Sequence, residues 1–159
     1  MSDFNFKNEI QQGVSRVNQL IDTNVLQEPD CIFHRSVLIE VLVHMKDLLV
    51  KCDKIGERIS FDDDVIREEK PRVHDVTDLI SNFRDASVHS DSFRLKVGHG
   101  ILSFNVGVGK VILFSLGDLV IEGKYEDDIV FNMGGQIMYL NRHLLRAFDE
   151  VKTKLASYL

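Results

Sequence analysis

The spacing of the apolar residues changes at about Phe93, and that change limits the fold more than any other feature. Before it, apolar residues recur every three or four positions. Phe6, Ile10, Val14, Val17 and Ile21 lie on one face of a first helix. After a start signal at Pro29-Asp30, Val37, Leu38, Val41, Leu42, Met45, Leu48, Leu49 and Cys52 give a wide stripe. A stripe that wide predicts a helix at the centre of a bundle, running on to about Ile59. Val76, Leu79, Ile80 and Phe83 restore the helical spacing after Pro71. From Phe93 the period is two: Phe93, Leu95 and Val97, then Leu102, Phe104, Val106 and Val108, then three more short apolar runs up to Met133. Glycines punctuate these runs, as turns between strands require. Gly134-Gly135 closes the series, and Ile137, Leu140, Leu144, Ala147, Phe148, Val151 and Leu155 predict a last helix.

The expected fold is therefore α+β in a single domain over residues 1–159. An antiparallel four-helix bundle uses residues 1–92 and 134–159, with a small antiparallel β-meander, 93–133, inserted before the last helix. A chain of 159 residues with 44% hydrophobic content has enough material for one core. Isolated small sheets are marginal in water, so the insertion is expected to pack on the helices through Phe104, Val106, Val108, Ile112 and Phe114. The acidic stretch FDDDVIREEKPR, residues 61–72, reads as a solvated loop.

Charge narrows the choice of partner. The net charge of −6 argues against a protein that coats nucleic acid through bulk electrostatics. Residues 53–92 carry 11 acids against 6 bases, whereas residues 134–159 carry 4 bases against 2 acids. A polyanion has to meet a local patch. Cys31 and Cys52 form no CxxC pair and read as free thiols of a cytoplasmic protein. The polar start MSDFNFKNEI predicts no secretory signal, and apolar runs of four residues are far too short for a membrane partner.

Most familiar chemistries lack their residues. GVGKV, residues 107–111, precedes a strand pattern and lacks the upstream glycine of a phosphate loop, so it predicts a hairpin turn or bulge. The six histidines show no zinc spacing and there is no Gly-x-Ser-x-Gly elbow. Asp62-Asp63-Asp64 lacks the alternation of a calcium loop. No metal and no cofactor are expected.

Two basic constellations remain. On the last helix Arg142 and Arg146 stand one turn apart beside His143, either as phosphate contacts or as a face of ion pairs with Asp149 and Glu150. In FRDASVHSDS, residues 83–92, Arg84 and His89 are five apart with Asp85 between them. Five residues of helix is a rotation of roughly 140°. The two side chains converge only if the helix ends between them or two subunits bring their copies together. An imidazole that moves a proton near neutral pH and a guanidinium that stabilises phosphoryl charge are the minimum set for metal-free RNA cleavage.

Arg84-Asp85-Ala86-Ser87-Val88-His89 resembles the motif of the HEPN superfamily, in which an arginine and a polar residue precede a histidine near a helix end in a bundle of four or five helices. The stretches HSDSF, LSFNV, YEDDI and YLNRHLLRAF are similar to those of a group of small bacterial proteins. The resemblance implies a metal-independent endoribonuclease, or an RNA-binding factor of defence or toxin–antitoxin systems, acting as a homodimer with paired motifs. It also implies the roles: Arg84 stabilises phosphate, Asp85 is the polar partner and His89 is the acid/base. Asp85 replaces the more usual asparagine. Expected partners are a second copy, RNA and an antitoxin or other protein. The rival expectation is a non-catalytic dimeric module that binds a ligand or partner.

Overall fold

The computed structural model describes residues 3–70, 72–88, 96–97, 101–102 and 104–159. It is a mixed α+β structure of four helices with small antiparallel sheets. Helix α1, Asp3–Asp22, buries Ile10, Val14, Val17 and Leu20. Helix α2, His34–Lys54, buries its whole stripe, from Leu38 to Cys52. A Cβ on Gly13 would stand 3.1 Å from Leu48 Cδ2, so α1 crosses α2 closely there. Helices α1, α3 (Val76–Val88) and α4 (Arg146–Lys154) all contact α2. α2 is the centre of the helical layer, as its stripe requires.

It stops earlier than its apolar pattern suggests. Gly56, at φ +81°, turns the chain after Lys54, and the Gly56 and Glu57 amides return to the carbonyls of Asp53 and Cys52. Ile59 is still buried, but as part of the following segment. That segment corrects the expectation of a solvated loop over 61–72. Phe61 and Val65 pack against the core, and the Phe61 carbonyl accepts from the Val76 amide at 2.9 Å. Strands β1, Glu68–Glu69, and β2, Arg72–Val73, pair as a short hairpin. Arg58 ties the region down by bonding Asp53, Asp75 and Asp78.

The strand-rich part also departs from a simple meander. β3 (Lys96–Val97) pairs with β4 (Ile101–Leu102). β5 (Phe104–Val108), β8 (Ile129–Met133) and β9 (Gln136–Tyr139) form one antiparallel sheet in the order β5-β8-β9. β6 (Ile112–Leu116) and β7 (Leu119–Glu122) form a separate two-stranded ribbon, bulged between Ile112 and Phe114. Gly134-Gly135 does not end the strands. Met133 pairs with Gln136, so the two glycines are a hairpin turn, with Gly134 at φ +58°. Ile137 belongs to β9 and not to the last helix.

The side chains of β8 and β9 explain how that misreading arises. Ile129, Phe131, Met133 and Met138 join the main core under the helices, where His34 stacks on Phe131 at 5.7 Å. Val130, Ile137 and Tyr139 point the other way, into a second cluster with Ile121, Leu113, Phe114 and Tyr125. The three-stranded sheet is a middle layer, covered on both faces, and its strands lose the alternation that marks a half-exposed strand. Phe104 and Val106 pack on the core and Phe114 on the second cluster, but Val108 and Ile112 are each 61% exposed, against the expectation for these two.

After β9 the chain makes a π-helical turn, Leu140–Leu145, before α4. Asp128 caps it from the preceding strand connection. Its carboxylate accepts from the amides of Ile129 and Asn141 at 2.9 Å and Arg142 at 3.1 Å, and from Arg142 Nη1 at 3.0 Å. That side chain is 0% exposed. A buried carboxylate is held by free amides at the start of a helix, where its charge is favoured.

Candidate functional site

Phe83 and Ala86 anchor one face of α3 in the core, which leaves Arg84 and Asp85 at its margin. Lys46 on α2 faces them. Asp85 Oδ1 accepts from Lys46 Nζ at 2.7 Å and from Arg84 Nη1 at 3.1 Å. Side-chain exposures of 30% for Lys46, 32% for Arg84 and 21% for Asp85 put the cluster at the water boundary. The helix continues through Val88, so Arg84 to Val88 follow one helical path. His89, the expected acid/base, lies outside the described residues, as does the turn expected at 90–92. One turn inward, Asn82 is buried and its Oδ1 has no partner among the described residues.

The constellation on the last helix is built quite differently. Arg142 reaches Asp127 at 2.9 Å and Asp128 at 3.0 Å and lies over the Tyr125 ring, 3.7 Å from its centroid. Arg146 reaches Asp63 at 2.9 Å and Glu150 at 3.3 Å and lies over the Phe61 ring at 3.8 Å. Asp149 turns instead to Lys152, at 2.8 Å. His143 is fully buried between the two arginines. The Tyr139 amide donates to its Nδ1 at 3.1 Å, so Nε2 carries the proton and donates to the Asp63 carbonyl at 2.8 Å. Burial pushes its pKa below the ordinary value, and the ring is neutral. It latches the acidic segment to the helix, with no ring nitrogen left for a phosphate.

The acids of that segment are equally committed. Asp62 pairs with Arg67, Asp63 with Arg146, and Asp64 accepts from the Tyr125 hydroxyl and, at 3.1 Å, from Lys124 Nζ. The Tyr125 bond holds the Asp64 carboxyl below the usual range. Asp63, Asp64, Tyr125, Asn141, Arg142 and Arg146 line a concavity of about 510 Å³ in which both arginines are already answered by carboxylates. Among the described residues no group of three His, Cys, Asp or Glu side chains is placed to hold a metal ion. Cys52 is buried, and burial raises its thiol to about 11, far from a reactive thiolate.

Sequence reasoning singled out Arg84, Asp85, His89, Arg142, His143 and Arg146, and the structure sorts all but His89, which lies outside the described residues, into two separate clusters. It missed Lys46, because a lysine between Met45 and Asp47 on an amphipathic helix carries no motif. It also missed Asp128, whose partners Asn141 and Arg142 lie more than a dozen residues further along.

The class of protein that fold and site define is a mixed α+β chain with a half-buried two-cation cluster at the edge of its helical layer. Comparison with protein-family models, with curated proteins and with solved structures gives no match. Among the described residues no helix is long and apolar enough to cross a membrane.

Proposed function

We propose that this chain is a HEPN-like, cytoplasmic RNA-binding protein that cleaves RNA without a metal, as a homodimer in a defence or toxin–antitoxin setting. In this reading the four helices, with α2 touching the other three, are the bundle of that class, and the strands within residues 93–133 are its insertion, although β9 pairs with it from outside that range. The observation that carries the reading is the convergence of Lys46 and Arg84 on a single carboxylate oxygen, on the same helix that leads to His89. Two cations aimed at one point are what a phosphate between two nucleotides needs. Arg84 stabilises the phosphoryl oxygens, Asp85 orients the cations and His89 transfers the proton. Purified protein incubated with mixed RNAs in EDTA is expected to cleave them, and His89→Ala to lose cleavage while keeping the fold. Equal cleavage by both proteins, or none by the wild type, removes this reading.

A second reading, a non-catalytic dimeric interaction module, is favoured by the ribbon β6–β7. From base to tip it leaves Ile112, Val120, Leu119 and Leu116 exposed, and a solvated two-stranded ribbon is marginal by itself. The occupant this reading commits to is a second copy of the ribbon. In an antiparallel pairing of two ribbons, Asp118 at one tip would join Glu126, which lies 3.5 Å from Lys110, at the lysine at the base of the other. Sedimentation decides it: a dimer that Ile112→Lys converts to monomer supports the module, and a wild-type monomer rejects it.

A further inference from the structure

At Arg58, Arg142 and Arg146 the acids outnumber the bases, and Arg67 meets Asp62 one to one. Arg58 bonds three aspartates, and Arg142 and Arg146 each bond two carboxylates. Around Asp85 the ratio is inverted: one carboxylate oxygen is shared by two cations, at 2.7 and 3.1 Å. Within a segment of 11 acids and 6 bases, this point is locally positive. A positive point does not survive there by accident of composition. It is held by packing, because Arg84 leaves α3 between the fully buried Phe83 and Ala86, and Lys46 leaves α2 beside the fully buried Met45.

From this we propose that Lys46 and Arg84 form an anion site whose resident anion is the chain's own Asp85, and that a phosphate oxygen of RNA binds by displacing it. Lys46 is thereby a phosphate-contact residue of the proposed site, supplied by α2 and not by the motif on α3. The inference rests on the RNA reading for the identity of the ligand, though not for the existence of the site. Asp85 plays two parts. It keeps the two ammonium and guanidinium groups aligned in the empty state, and its negative charge sets a threshold that a single weak anion does not cross. A carboxylate and a phosphate oxygen make the same charge-assisted bonds, so exchange keeps the cations satisfied throughout. Removing only the charge of Asp85 leaves the two cations uncompensated and open to an external anion.

The experiment uses the full chain and two probes, inorganic pyrophosphate and a short labelled oligouridine, titrated at several salt concentrations. Asp85→Asn keeps the shape and loses the charge, and is expected to bind both probes roughly tenfold more tightly than the wild type. Adding Lys46→Gln to it is expected to cancel that gain and to reduce the salt slope for oligouridine by about 0.7, the value of one contact on a single strand. In the wild-type background Lys46→Gln weakens binding and Lys46→Arg restores it, which keeps the test decisive even if Asp85→Asn fails to fold. Tighter pyrophosphate binding with no binding of oligouridine leaves the anion site standing and removes RNA as its ligand. Oligouridine binding that is indifferent to both Asp85 and Lys46 leaves the RNA reading standing and overturns the displacement. A melting temperature lowered by Asp85→Asn with both affinities unchanged makes the cluster a structural ion pair, and overturns it too.

Discussion

At the end of α3 one carboxylate serves two cations, whereas at the start of α4 two arginines serve four carboxylates. Segment charges point the opposite way. The segment holding Arg84 is strongly acidic and the one holding Arg142 and Arg146 is basic. The reversal comes from the chain path: Asp63, Asp127 and Asp128 arrive at α4 from outside its segment, while the acids around Arg84 in sequence gather on Arg58 instead. Net charge along a segment measures composition. What an external anion meets is the ratio of counter-ions after folding, and of these two clusters the one on α3 has more cations than acids among the described residues. The α4 cluster is a clasp that ties the acidic segment and the sheet to the last helix.

If that contrast is right, the α4 cluster is where substitutions unfold the protein. The largest effect is expected at Asp128. Asp128→Ala strands the amides of Ile129, Asn141 and Arg142 and leaves Arg142 with Asp127 alone. Breaking a buried, charged network of this kind costs about 3–5 kcal/mol. Urea denaturation measures it, and a loss below about 1 kcal/mol breaks the comparison, because the clasp is then ornamental.

Next in size is His143. Its folded pKa lies below the ordinary value because burial disfavours the cation. The unfolded state therefore binds the extra proton first as pH falls through the ordinary histidine range near 6.5, and stability falls with it. His34, lowered by burial as well, adds in the same direction. Wild type is expected to lose urea resistance between neutral pH and pH 5.5 or so. His143→Gln starts lower, by about 1–3 kcal/mol for the imperfectly replaced bonds to Tyr139 and Asp63, and shows a shallower pH dependence. Parallel pH curves for the two proteins would mean that His143 does not titrate on unfolding.

These clusters also show what was legible. Helix positions followed from periodicity because α1, α2 and α3 each bury one face. β9 was not legible, since its residues are covered by helices on one side and by the ribbon on the other, and Ile137, Leu140 and Leu144 fall by chance at helical spacing. Arg84 and Asp85 could be found from a local motif. Lys46 could not, because its partner is 39 residues away and its own neighbourhood is an ordinary amphipathic helix. His143 was visible as a residue but not as a latch, for burial is a property of the packed sheet and helix and is absent from its flanking sequence.

The smallest effect expected is at Arg146, and it is the sharpest discriminator between the two clusters. Arg146→Gln loses partly exposed bonds to Asp63 and Glu150, each the sort of ion pair worth about 1 kcal/mol or less. Its stacking on Phe61 survives in part through the aliphatic stem of the glutamine. Stability should shift by about 1 kcal/mol at most. Binding of a short oligouridine should be unchanged, salt slope included, since a guanidinium already answered by two carboxylates releases no counterion from RNA. Arg84→Gln, by contrast, removes a cation that shares Asp85 with Lys46, its one acid among the described residues, and lowers the salt slope by about 0.7. Measuring the two variants side by side, by anisotropy over a range of salt, tests the counter-ion argument directly. A fall in slope for Arg146→Gln equal to that for Arg84→Gln places both clusters on the nucleic acid and removes the distinction drawn between them.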